Sequence, residues 1–365
     1  MRKHYVDNIR WITVVIVVLY HVFYMYNAEG VVGVVGKISN LDVQYYDMFQ
    51  YIVYPWFMFL LFMVSGMSSK FYLDKHTDKE FLASRTTKLL VPSTIGLFAF
   101  QFLQGYVNTL LSDVFTKSPE MPLAGKVIVI LLSGIGVLWY IQLLWVFSLL
   151  LFFIKKIEKG HLLSLEKKAG PITLLLLCVP AFLTAQILNT PIIVVYRFGW
   201  YFFAFLMGYF VLSHEAVVEH LKKWFLLLLL MAVGLGTVFC VMYFGKNYAD
   251  QPANRSLWFV EYGYFASLAI IGGMAKYGDI CNGFTKWMSQ RSFGLYVFHY
   301  LGISAMAWYV GRLKILPTPV TYLLTTLAGF VSGYVLYELI SRIPFWRWAV
   351  LGMKKKRDKE KMVRI

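Results

Sequence analysis

Charge is what this sequence has least of. Only 15% of its 365 residues are Asp, Glu, Lys or Arg, and the acidic ones number 19 against 35 basic, for a net charge of +16. With 59% hydrophobic residues, that composition excludes an ordinary soluble core and reads as a membrane protein. Cysteine is nearly missing as well. Cys178 and Cys240 fall in apolar stretches and Cys281 in a loop, which leaves no disulfide framework and no metal–thiolate site. Internal repeats, low-complexity linkers and any hydrophilic stretch long enough for a second domain are absent too. No small-x-small cleavage site follows the first apolar run, so that run reads as an anchor rather than a removable signal.

What the chain does have is apolar length. A hydrocarbon core of about 30 Å takes roughly 20 apolar residues per helix. About ten stretches qualify, near 11–28, 49–67, 90–111, 137–154, 171–188, 193–213, 224–244, 257–275, 292–310 and 319–341. The expectation is an all-α integral membrane protein of about ten transmembrane helices. It forms one membrane domain over 1–345 with a basic tail at 346–365. The run from Val127 to Ile154 is too long for one span and "SGIG" at 133–136 interrupts it, so its first part reads as interfacial or re-entrant. Lys and Arg set the orientation, because cytoplasmic loops carry the excess. Of the 35, 27 fall in the tail before the first span, in 68–89, 154–170, 213–224 and 276–291, and at the C-terminus. Both termini are therefore expected in the cytoplasm of a multi-pass cell-membrane protein. The basic balance serves topology and attraction to anionic lipid, not nucleic acid.

Within this apolar frame a few ionisable residues stand out. In "YVDNIRWITVVIVVLYHVFYMYN", residues 5–27, Arg10 and His21 are eleven positions apart. Eleven steps of about 100° return to within about 20° of the start, so the two share a helix face about 16.5 Å apart. Arg10 sits at a mouth with Asp7 one turn away to pair with it, and His21 sits deep. An ionisable group at that depth is a functional-site hypothesis by default; the alternative is a histidine bonded to a neighbouring helix. In "FLASRTTKLLVP", Arg85 and Lys88 lie three apart, on one face of a helix that Pro92 starts or kinks. Such a pair can bind phosphate, or it can be plain positive-inside charge. In "SFGLYVFHY", Tyr296 and His299 lie three apart at a depth comparable to His21; taken alone, His299 could equally be a packed core residue.

The order of these motifs resembles the acyltransferase-3 family, bacterial integral membrane acyltransferases. It runs Arg-x10-His in the first span, "FMVSGMSS", "RTTKLLVP", "LWYIQLL", "FGWYFFAFLMGYF", "SFGLYVFH" and "LYELISRIPF", over nearly the whole chain. The resemblance implies transfer of an acyl group, usually acetyl, from cytoplasmic acyl-CoA to a hydroxyl of an extracytoplasmic acceptor, commonly a carbohydrate. It also implies that Arg10 and His21 are the paired functional residues of the first span. The family's loop motif commonly carries a second arginine where this chain has Lys88, and lysine lacks the bidentate fork.

On that assignment, Arg10, Arg85 and Lys88 would hold the polyanionic head of CoA while its thin arm threads inward toward His21. A neutral imidazole can take the proton of an attacking hydroxyl. Candidates by type for the donor to the developing oxyanion are His299, Tyr296, Gln142 and the indole of Trp139. No metal is expected. On the acceptor side, Tyr45, Tyr46, Trp56 and Trp258 could stack on sugars or simply mark the membrane interface, and Glu261 is a candidate for acceptor contact. Glu338 and Arg342 read as an ion pair at a helix end. The rival reading is a transporter or flippase for a small anionic or lipid-linked substrate, which would call for inverted repeats and paired broken helices.

Overall fold

The computed structural model describes residues 3–28, 33–38, 47–161, 170–190 and 196–353. Among these the chain is helical throughout, with a single isolated β-bridge between Asn189 and Arg197. The helices are α1 (His4–Asn27), α2 (Asp47–Val53), α3 (Phe57–Leu73), α4 (Asp78–Arg85), α5 (Val91–Gly96), α6 (Phe102–Leu111), α7 (Val114–Lys117), α8 (Leu123–Ile135) and α9 (Trp139–Glu158). They continue as α10 (Pro171–Leu176), α11 (Cys178–Ala185), α12 (Phe198–Phe210), α13 (Glu215–Lys223), α14 (Phe225–Tyr243), α15 (Leu257–Tyr277), α16 (Gly283–Tyr309), α17 (Thr318–Arg342) and α18 (Pro344–Leu351).

Among the described residues, eight helices are long and apolar enough to cross a membrane, counting α4–α6 and α8–α9 as one each. A ninth appears if α12 and α13, bent by 107°, form one span. The Pro171–Ala185 segment is apolar but reaches only about 22 Å, short of the hydrocarbon thickness. Lipid-facing surfaces are recognisable by what they expose. On α14, Leu226, Leu230, Val233 and Val241 all face outward, a surface water would not tolerate.

Pro92 stands in the first turn of α5, as expected of a helix start, and the longer helix that carries it has no sharp bend there. The chain passes it through a π turn at Thr86–Leu90, where the Val91 N–H reaches back five residues to the Thr86 carbonyl. Pro92 itself donates no hydrogen bond to the preceding turn, and the π turn just before it is where the helix departs from α geometry. The interruption expected at "SGIG" is present: α8 ends at Gly136, whose backbone (φ 35°, ψ −120°) is far from helical, and the chain continues through the 3-10 turn Gly136–Leu138 into α9.

At the centre stands α1, packed on α3, α15, α16 and α17. Around it, α3 and α12 touch backbone to backbone. A Cβ on Gly66 would lie 2.0 Å from the Phe205 carbonyl oxygen, and one on Gly208 would lie 1.9 Å from that of Met63. Small residues allow this approach, which without a hydrophobic drive in lipid is what holds helices together. The segments rich in Lys and Arg meet on one face. Lys3 pairs with Glu215 at 3.0 Å, the Tyr5 N–H donates to Asp279 at 2.8 Å, Lys155 pairs with Asp78, and Arg291 pairs with Glu338 at 2.8 Å. At the C-terminal end, Ala349, Val350 and Leu351 of α18 are buried, with α18 packed on α5; residues 354–365 lie outside the described residues.

Candidate functional site

The first cluster forms where α1, α3 and α4 meet. Ser68 and Ser69 of "FMVSGMSS" each donate their hydroxyl hydrogen to their own helix, to the carbonyls of Val64 and Ser65, both at 2.8 Å. That leaves each oxygen free to accept. Arg10 Nη2 donates to Ser68 Oγ at 2.7 Å, and Arg85 Nη2 donates to Ser69 Oγ at 2.9 Å. Arg10 Nη1 also meets Asp7 at 3.2 Å, whereas Arg85 stacks on Phe81 at 5.0 Å and has no carboxylate partner among the described residues. Against two guanidinium groups stands the one carboxylate of Asp7, so the cluster keeps a net positive charge, and the Arg10 side chain remains 36% exposed, so an anionic group can approach. Lys88 does not share this arrangement. Lying inside the π turn that follows Arg85, it is exposed while Arg85 is half-buried.

The second cluster lies eleven residues along α1. His21 Nδ1 is 3.0 Å from Nε2 of His299 on α16. His299 is fully buried, and its Nδ1 lies 3.0 Å from the Leu295 carbonyl and 2.9 Å from that of Tyr296. Tyr20, Tyr24 and Tyr300 surround the His21 ring, with centroids 5.5, 6.5 and 5.0 Å away and planes near perpendicular. Farther from Arg10, a polar chain continues. Tyr20 and Tyr248 hydroxyls are 3.1 Å apart, Gln50 Nε2 donates to Tyr248 at 2.6 Å, Asn27 donates to Gln50 at 3.2 Å, and Tyr322 donates to Asn27 at 2.9 Å.

The remaining expected residues are spread more widely. The Tyr296 hydroxyl donates to the Val137 carbonyl, tying α16 to the turn before α9. Gln142 accepts from Tyr196 at 2.7 Å and its amide reaches the Ser93 carbonyl at 3.5 Å. Trp139 packs against Tyr201 with centroids 5.6 Å apart, and its indole N–H makes no hydrogen bond among the described residues. Glu261 stands apart. Two positions before it, Phe259 meets Tyr54 at 5.9 Å, and about 200° around the helix Glu261 faces the other way. There it lines a groove of about 560 Å³ with Cys178, Val179, Leu235 and Phe265; the Cys178 thiol bonds to it and its Oε2 has no partner among the described residues. A larger groove of about 830 Å³, lined by Trp56, Phe225 and Cys240, is also away from the histidines. Tyr45 and Tyr46 lie outside the described residues. Glu338 is met most closely by Arg291, through Nε at 3.0 Å and Nη2 at 2.8 Å, while Arg342 approaches to 3.6 Å. Among the described residues no cluster of three or more His, Cys, Asp or Glu could hold a metal.

Sequence reasoning passes over Ser68 and Ser69 within "FMVSGMSS", and it misses the tyrosines around His21. A signal exists for the latter: Tyr20, Tyr24 and Asn27 recur at helical spacing on one face of α1. It also misses Arg197, a fully buried guanidinium that donates to the Asn254 carbonyl at 2.6 Å and lies 5.0 Å from the Phe259 ring. In comparison with known proteins, the model of the acyltransferase-3 family, described as an acyltransferase domain, matches residues 3–348. No curated protein and no solved structure matches the chain.

Proposed function

The chain belongs to the acyltransferase-3 family, and we propose that it moves an acyl group, acetyl in the first instance, from acyl-CoA to a hydroxyl of an acceptor across the membrane, a carbohydrate or envelope glycan. The observation that carries this reading is the arrangement along α1. Arg10, joined by Arg85 on consecutive serines of α3, sits at one end of a helix face whose other end, about 16.5 Å away, holds His21. Coenzyme A has the matching shape, with a polyanionic head, a long uncharged arm and a thioester at the tip.

In this scheme the two guanidinium groups bind phosphate oxygens by charge-assisted hydrogen bonds, and the arm runs inward beside α1. The acceptor enters from the opposite side, along the face of Tyr20, Tyr24 and Asn27. His21 takes the proton of its hydroxyl as that oxygen attacks the thioester carbonyl, and the thiolate of CoA leaves and is protonated. The oxyanion needs a donor not already committed. Tyr296 and His299 direct their O–H and N–H groups to backbone carbonyls, whereas Gln142 commits only one of its two amide hydrogens, to the Ser93 carbonyl at 3.5 Å, which leaves the Gln142 amide and the Trp139 indole as the candidates. Lys88 on its exposed face contributes to orientation in the membrane rather than to the head group. Family membership favours this over a transporter.

The test is incubation of the purified, detergent-solubilised protein with acetyl-CoA labelled in its acetyl group. Release of free CoA, by transfer to added glycan or by slow hydrolysis, is expected. Complete inertness toward acetyl-CoA, in the presence of extracts of the envelope as acceptor, contradicts the reading.

A further inference from the structure

The contact between the two histidines has a direction. His299 Nδ1 lies within hydrogen-bond distance of the Leu295 and Tyr296 carbonyl oxygens, 3.0 and 2.9 Å away, and carbonyls only accept. Nδ1 of His299 therefore carries its proton, and in the neutral ring Nε2 is left with a lone pair. That lone pair points at His21 Nδ1, 3.0 Å away. Two lone pairs facing each other at this distance would repel, so His21 Nδ1 must be the donor. The lone pair of His21 then resides on Nε2, the far side of the ring.

We propose that His299 is a positioning residue that fixes His21 as the Nδ1–H tautomer, aiming the basic Nε2 at the acceptor hydroxyl. This deepens the reading of His21 as the base and rests on it for its catalytic meaning. The physical logic is that of any base oriented by a third group. An imidazole free to exchange tautomers presents its lone pair to the substrate only part of the time, and an unheld ring samples other rotamers. Here the orienting group is neutral, which suits a site buried in apolar helices, where a carboxylate would have to be desolvated. The backbone carbonyls of α16 are the fixed end of the chain: Leu295 and Tyr296 are four and three residues before His299, within one helical turn. The proposal also removes His299 from the oxyanion donors, because in this arrangement its Nε2 has no hydrogen to give.

The direct test is ¹⁵N NMR of the protein labelled at its imidazole nitrogens, in nanodiscs at neutral pH. The His21 signals are identified by their loss in His21→Gln. We expect His21 with Nδ1 protonated and Nε2 bare; a His21 ring protonated at Nε2 overturns the proposal whether or not the protein proves to be an acyltransferase. The kinetic arm uses two variants. His299→Ala should lower kcat at least about tenfold, a part of the 10²–10⁴-fold that a general base contributes, with KM for acetyl-CoA little changed. His299→Gln, whose side-chain carbonyl can accept from His21 Nδ1, should recover much of that loss. Equal impairment of both variants with an unchanged His21 tautomer would make His299 a packing residue and refute the positioning role.

Discussion

Arg10 and Arg85, from helices 75 positions apart in the chain, are held by adjacent residues of a third helix, Ser68 and Ser69, at 2.7 and 2.9 Å. Each serine satisfies its own helix with its hydrogen and the arginine with its oxygen. The two guanidinium groups consequently stand ready before any ligand arrives, and that readiness makes distinct claims about Arg85, Lys88 and the serines.

Arg85→Gln should raise KM for acetyl-CoA by about five- to 150-fold, the equivalent of 1–3 kcal/mol for a charge-assisted hydrogen bond, with kcat changed less. Lys88→Gln should leave KM within about threefold, since Lys88 is exposed. Steady-state kinetics on both variants checks this. A larger effect at Lys88 than at Arg85 would put the π-turn geometry in error.

Ser69→Ala removes the oxygen that orients Arg85 without removing the charge. The expected result is a loss of acetyl-CoA affinity of a few-fold, smaller than in Arg85→Gln, measured by calorimetry in detergent. In the double variant, Ser69→Ala should add little to Arg85→Gln, because the two act through one contact.

How much of this was legible in the sequence depends on the kind of information needed. The shared face of Arg10 and His21 follows from helical spacing alone, and it holds because α1 is regular from His4 to Asn27. His299 was legible by type and depth, but its pairing with His21 depends on how α1 and α16 pack, which no local pattern encodes. For Lys88 the 100° rule assumes an unbroken α-helix, which the π turn at Thr86–Leu90 interrupts, so its spacing from Arg85 does not fix its face. Glu261 looked like a residue of the acceptor side, yet it faces the 560 Å³ groove; which side of α15 turns toward α1 is again a matter of packing. The serines were hidden by being ordinary: Ser in an apolar helix usually bonds its own backbone, and these two do that as well.

Packing of α3 on α12 gives a stability prediction. Gly208→Ala places a Cβ 1.9 Å from the Met63 carbonyl, so the helices must separate, and a loss of about 1–3 kcal/mol or more is expected. Gly234→Ala on α14, where a Cβ meets nothing within 4 Å, should cause no loss. Thermal unfolding in detergent compares them, and equal midpoints would contradict the close approach.

Orientation is predicted from the excess of Lys and Arg on the face that carries Lys3 and Glu215. In a background with Cys178, Cys240 and Cys281 replaced, a cysteine at Lys246 should react with a membrane-impermeant reagent from outside the cell. One at Lys79 should react only after the membrane is opened. The reverse pattern would place the arginine pair on the outer face and exclude cytoplasmic acyl-CoA as donor.

The account turns on His21, and one comparison tests it most directly: acyl transfer by wild type and by His21→Ala, measured with labelled acetyl-CoA alongside acetyl-CoA binding. The account predicts a rate lowered by 10²–10⁴-fold with binding largely intact, since His21 lies about 16.5 Å from the residues that hold the head group. Retention of more than about a tenth of the wild-type rate, with binding unchanged, would contradict His21 as the base.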